Sequence, residues 1–194
     1  MHQQDVAKSE LSALYLCLKS DATISLENID PLRSGFEDRT YVRTVFSMFE
    51  GVAYATRQYI LAQAAAGRYK ISTQEHDLLS EQTYILDGKG KIKEKENFLQ
   101  FIPGFRLTIS VLGRCLGREE YVAGAFGHHM YDSFQNGVKI RNRIIHPKLT
   151  NDLMLSRAEV ATVKEAHEWF DSLMLELIGH AFERHADPVD EGSA

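Results

Sequence analysis

Three times the chain sets a serine three residues ahead of a glutamate at the head of an apolar series: Ser34-Gly35-Phe36-Glu37, Ser72-Thr73-Gln74-Glu75 and Ser156-Arg157-Ala158-Glu159. The serine hydroxyl can accept the backbone N–H three residues on while the glutamate reaches back, so each box marks a helix start. After the first box, Val42, Val45, Phe46, Phe49, Val52, Ala53, Thr56, Ile60 and Ala64 recur at spacings of three and four until Gly67 offers a stop. After the last, Val160, Val163, Phe170, Met174, Leu177 and Ala181 do the same. Both patterns predict long core helices. Leu11, Leu14, Tyr15 and Leu18 predict another helix within Val6 to Lys19. Pro103-Gly104 ahead of Phe105, Leu107, Ile109, Val111, Leu112 and Leu116, closed by Gly117, predicts a third core helix, with a fourth from about Glu119 to Ile145. Asp87-Gly88-Lys89-Gly90 lies between β-favouring residues, which predicts a hairpin near residues 83–93.

The expected fold is therefore all-α, an antiparallel helical bundle with a small inserted β-hairpin. One domain over residues 1–185 is expected, followed by a disordered acidic tail at 186–194, where Asp187, Pro188, Asp190 and Glu191 show no periodicity. The polar stretches Asp21 to Asp30 and Asp87 to Asn97 read as short connections. With 44% hydrophobic residues in 194, the chain can bury a core without staples, and Cys17 and Cys115 stand in no metal-ligand spacing. A cysteine-rich secreted scaffold is excluded, and no metal or cofactor is expected. Met1-His2-Gln3-Gln4-Asp5 has no basic region leading into an apolar run, and no stretch reaches about 18 uninterrupted apolar residues. A cytoplasmic protein with no membrane partner is the expectation. A net charge of -5 argues against wholesale coating of nucleic acid but leaves room for a local basic site.

Such a site is suggested by Lys139-Ile140-Arg141-Asn142-Arg143-Ile144-Ile145-His146-Pro147-Lys148. Proline pushes the residue before it out of the helical region, so the helix should end at about Ile145 and display His146 at its terminus. Projected around the helix, Arg141 falls beside the stripe of Met130, Phe134, Val138 and Ile145. An always-charged guanidinium on an apolar face needs an anionic or carbonyl partner. Glu50, next to Phe49, is the candidate carboxylate, as a structural ion pair or as a supporting acid. Asn142 can orient a neighbour, a histidine can exchange protons near neutral pH, and Lys139, Arg143 and Lys148 flank them. Together they point to a phosphate site.

Arg141-Asn142-x-x-x-His146 resembles the R-N-x-x-x-H signature of HEPN domains, and its place at the end of a bundle helix is similar too. The likeness in helix order spans about Ser34 to Ala181, with the hairpin near Asp87 as a departure or a family-specific insert. The resemblance implies a homodimer whose two motifs face each other across a cleft, and a metal-independent endoribonuclease of toxin or defence type, restrained by an antitoxin or regulatory protein. It assigns Arg141 and His146 as the catalytic pair, Asn142 as their orienter, and Lys139, Arg143 and Lys148 as RNA-binding residues. Chemically, histidine can take the proton of a ribose 2′-hydroxyl while arginine stabilises charge on the attacked phosphate. Two alternatives stay open: a non-catalytic HEPN-like module binding RNA, a nucleotide or a protein, and a structural adaptor in which Arg141 merely pairs with Glu50.

Other signals carry less. His128 and Asp132 are one turn apart without further ligands, and His167 lies in the apolar register of the last helix as a hydrogen-bonded core or interface residue. His180 and His185 suit a helix C-terminus. Tyr121 and Tyr131 read as bundle packing, and Lys89, Lys91, Lys93 and Lys95 as a solvated hairpin face that resists edge pairing. The glycines match no phosphate loop, and Ser110 and Ser133 lack a nucleophile elbow.

Overall fold

A computed structural model of the chain describes residues 3–30, 35–96 and 99–183. In order these form α1 (Gln3–Glu27), α2 (Phe36–Ala65), α3 (Thr73–Leu79), β1 (Gln82–Leu86), β2 (Ile92–Glu96), α4 (Phe101–Leu116), α5 (Glu119–Gly127), α6 (His129–Ile145), a 3-10 turn (Thr150–Leu153) and α7 (Arg157–Glu183). The architecture is the expected all-α bundle with one small antiparallel hairpin. Two of the capping boxes close as written. The Ser72 and Ser156 hydroxyls each accept from the N–H of Glu75 and Glu159 at 3.2 Å, and each glutamate accepts the serine N–H at 2.8 Å. Of the third box, Ser34 lies outside the described residues. α2 is capped one residue later than expected, with the Asp38 carboxylate accepting the Gly35 N–H at 3.0 Å. Gly117, at φ 70°, closes α4 in the left-handed region that a side chain would strain.

Two expected boundaries move. α1 continues to Glu27 because Ala22, on the stripe of Leu11, Tyr15 and Leu18, is also buried, so most of the polar Asp21 to Asp30 stretch is helix with its charges outward. The single helix expected from Glu119 to Ile145 is two. Gly124 and Gly127 weaken the end of α5, Trp169 Nε1 donates to the Ala125 carbonyl at 3.0 Å, and His128 turns extended at φ -77°, ψ 143°. His128 then caps α6, its Nδ1 accepting from the Met130 N–H at 3.4 Å. The expected tail at 186–194 falls outside the described residues.

The apolar stripe of α2 lies against α4, α6 and α7, but α2 also buries Tyr41, Met48, Ala55 and Tyr59. α1 covers a further side, and at Gly51 a Cβ would stand 2.8 Å from Leu18 Cδ1, so glycine permits the close approach, while Tyr41 reaches His167 of α7 and Tyr59 meets Tyr69. α1 runs antiparallel to α7, with Lys8 over Phe182, Tyr15 on Asp171 and Asp30 at Arg157. α6 is likewise antiparallel to α7, from Ser133 on Glu165 to Arg143 on Glu159. Rings from four helices meet at the centre, with Phe49–Phe170 centroids 4.4 Å apart, Phe105–Phe134 4.9 Å and Phe134–Trp169 5.1 Å. β2 is exposed along its whole length. No helix among the described residues is long and apolar enough to cross a membrane.

His167 is the buried polar residue its register predicted, sharing a 3.2 Å hydrogen bond between Nδ1 and the Tyr41 hydroxyl. Burial holds its pKa below the ordinary histidine value, with Lys19 lowering it further and Asp171 and Glu168 opposing. An unfolded histidine protonates at about pH 6.5, so the stabilising effect of neutral His167 is present above that pH and is lost as pH falls through the lower folded value. Urea unfolding of wild type and His167→Gln at pH 7 and pH 5 should show a smaller pH-dependent loss in the variant. Equal losses would mean that His167 charges as freely in the fold as outside it.

Candidate functional site

The ring contact between Phe49 of α2 and Phe134 of α6, 5.3 Å between centroids, fixes how these helices face each other. Glu50 is the next residue after one ring, and Arg141 lies two turns beyond the other on the stripe of Phe134 and Val138. They emerge on adjoining edges, with Arg141 Nη2 2.6 Å from Glu50 Oε1. The guanidinium is held on a second side, Nη1 donating to Asn142 Oδ1 at 3.0 Å, while its Nε–H is buried without an acceptor among the described residues. Beside it opens a cleft of about 400 Å³ whose walls include Phe46, Glu50, Gln100, Phe101 and Val138. The sequence-predicted Arg141, Asn142 and Glu50 thus come together.

His146 sits where Pro147 requires the helix to stop, at φ -118°, ψ 55°, its N–H still bonded to the Asn142 carbonyl at 3.0 Å and its imidazole exposed. The segment after it is pinned. Asp152 accepts the N–H groups of Lys148 at 2.7 Å and Leu149 at 2.9 Å, and those bonds, Leu149 foremost, hold its carboxyl below the usual range. Arg143 donates to the Met154 carbonyl at 3.0 Å and ion-pairs with Glu159. Burial alone would raise the Glu159 carboxyl, but the Ser156 N–H and hydroxyl and the Arg143 guanidinium outweigh it and bring it below the usual range. His146 stands five positions after Arg141 and has left the helical geometry that places Arg141 on the stripe of Phe134 and Val138.

Within one copy of the chain the three flanking cations have separate surroundings. Lys139 donates to Asn136 Oδ1 at 3.0 Å a turn upstream, Arg143 is committed to Glu159, and Lys148 stands exposed beyond the helix. Two arginines of α2 reach the main chain before and after His146. Arg43 Nη2 donates to the Ile144 carbonyl at 3.4 Å and Arg39 Nη1 to the Leu153 carbonyl at 3.3 Å. Sequence reasoning missed both. The available signal was their spacing with Glu50, since positions 39, 43 and 50 fall on one stripe of a helix.

Elsewhere, His128 caps α6, and among the described residues no group of three or more His, Cys, Asp or Glu side chains is gathered to hold a metal. Tyr131 is buried in the ring cluster, and Tyr121 lies at the α5–α7 contact with its hydroxyl 3.5 Å from the Ser172 carbonyl. His180 bonds Glu176 at 3.1 Å near the end of α7, while His185 lies outside the described residues. No protein-family model, curated protein or solved structure matches the chain.

The Arg141 and Glu50 side chains remain 23% and 41% exposed, so water screens their pair. A double-mutant cycle with Glu50→Gln and Arg141→Leu, read by urea unfolding, should give a coupling below about 1 kcal/mol. A coupling of about 3 kcal/mol or more would mark a fold-holding pair and favour the adaptor.

Proposed function

We propose that the chain is a metal-independent endoribonuclease that acts as a homodimer, cleaving RNA by attack of a ribose 2′-hydroxyl on the adjacent phosphate. The observation that carries this reading is the pairing of a guanidinium steered by Asn142 and Glu50 with an exposed imidazole at the same helix end. In the proposed step His146 accepts the 2′-hydroxyl proton as that oxygen bonds to phosphorus. Arg141 stabilises the charge growing on the phosphoryl oxygens. The bond to the 5′-oxygen breaks, leaving a 2′,3′-cyclic phosphate and a 5′-hydroxyl that must gain a proton. One histidine cannot hold both roles at once, and a two-fold dimer brings a second His146.

Two further features support a dimer. Arg141 is held beside Glu50 at the cleft while His146 stands exposed at the helix end, and a facing copy would add a second set of both. Around His146 stand Ile145, Leu149 and Met154, apolar yet exposed, with Leu149 at 70%. A toxin or defence role, restrained by an antitoxin or regulatory protein, is the biological form of this reading. The Glu50 pair favours a second reading, in which the cleft binds RNA, a nucleotide or a protein without cutting.

Incubating the protein with mixed cellular RNA in the presence of a chelator tests both. RNA, but not matched single-stranded DNA, should be cut to cyclic-phosphate ends by wild type, because DNA lacks the attacking hydroxyl. Arg141→Ala and His146→Ala, each with a wild-type circular dichroism melt, should lose at least about a hundredfold in rate. Retained cutting by His146→Ala overturns the catalytic assignment. Binding without cutting by dimeric wild type selects the second reading.

A further inference from the structure

The chain carries a net charge of -5, and the carboxylates of Asp38, Glu159, Glu50 and Asp152, on the elements around His146, each have partners. Asp38 accepts from the Gly35 N–H and pairs with Arg157. Glu159 pairs with Arg143, Glu50 with Arg141, and Asp152 accepts two backbone N–H groups. Arg39 and Arg43 are left with no carboxylate partner among the described residues. Each spends one donor on a main-chain carbonyl, Leu153 for Arg39 and Ile144 for Arg43, and a carbonyl cancels no net charge. Their carbonyl acceptors lie on either side of His146 along the chain.

A purely structural account covers part of this. A cation suits the carbonyl end of a helix, and Arg43 meets the last turn of α6. Arg39 has no such reason, since its acceptor ends a single 3-10 turn. A neutral donor would serve either carbonyl, so the retained charge and the remaining guanidinium donors need another explanation. One turn apart on α2, with Cβ atoms about 5–6 Å from each other, the two present a short charged track whose planes are set in advance by the carbonyl tethers.

We propose that Arg39 and Arg43 form a phosphate-binding subsite for the RNA strand flanking the bond to be cut, so that the preferred substrate is a single strand of several nucleotides rather than a minimal one. It rests on the ribonuclease reading above. Neither arginine touches the reacting atoms; they bind the backbone and set the strand's register, and so should act on affinity and KM more than on kcat.

Glutamine at both positions keeps a donor for each carbonyl and removes the charge, while lysine keeps the charge. In the full-length His146→Ala background, which leaves RNA intact, anisotropy with a single-stranded RNA of about 20 nucleotides should show about tenfold weaker binding for Arg39→Gln/Arg43→Gln, and a log-affinity against log-salt slope shallower by about 1.4, from about 0.7 per lost phosphate contact. The lysine pair should recover most of the affinity. In the active background, the glutamine pair should raise KM for the long strand and leave cleavage of a ribodinucleotide unchanged. Unaltered affinity and salt slope in the glutamine pair, with wild type still cutting the dinucleotide, overturn the subsite alone. No RNA binding and no dinucleotide cleavage by wild type overturn the ribonuclease reading and the subsite with it.

Discussion

The contact on which the molecule depends is the ring cluster of Phe49, Phe105, Phe134, Trp169 and Phe170, supplied by α2, α4, α6 and α7. Aromatic packing is directional and the interior is close-packed, so these rings set the axial register and rotation of the helices as well as burying area. Glu50 is one residue from Phe49 and Arg141 seven from Phe134, which makes their 2.6 Å approach a consequence of the core. A slip of α6 by one turn would carry Arg141 about 5.4 Å along its axis and out of reach. The same register brings Gly137 beneath Phe46, where an added Cβ would stand 3.2 Å from the ring, tightening the α2–α6 contact just below the cleft.

Beyond the end of α6 the organisation changes from apolar to polar. The stretch from His146 to Ser156 has little apolar burial of its own, Leu155 apart, and is held by the Asp152 carboxylate and by arginines from α2 and α6 gripping its carbonyls. Such multiple tethering gives a segment without regular structure a fixed shape, the condition for presenting an imidazole in one orientation. Two arginines in this mesh are neutralised by carboxylates and two are not. In the proposed subsite that asymmetry is what draws the strand's phosphates.

Much of the fold could be read before any coordinates because its signals are local. The boxes at Ser72 and Ser156, the Asp-Gly turn and Gly117 act within a few residues, and each forms where the sequence puts it. The misplaced boundaries are those set by distant partners. α1 extends through polar residues because α2 and α7 cover its inner stripe, and the α5–α6 break forms where Trp169, more than forty residues on, takes the Ala125 carbonyl. The site divides the same way. Arg141, Asn142, His146 and its proline are legible as a run, and Glu50 follows from helix phase. Arg143 reads as a free cation until Glu159 arrives from α7, and Arg39 and Arg43 gain their meaning only from a segment a hundred residues away.

The strength of the Arg141–Glu50 pair bears on the proposed chemistry. A deeply buried pair would be hard to exchange, since freeing Glu50 would leave an unpaired charge in a poor solvent. With Glu50 41% exposed, the carboxylate can return to water, and the pair itself contributes about 1 kcal/mol or less. A phosphate entering the cleft can therefore take over the Nη2 donor while Asn142 keeps Nη1 in place. In the proposed reaction Glu50 thus acts as a stand-in anion that keeps the guanidinium ordered before substrate arrives, so less ordering entropy is lost on binding. On that basis the same ion pair which would define a mere adaptor, were it buried, serves in the proposed reaction to prepare the arginine for RNA.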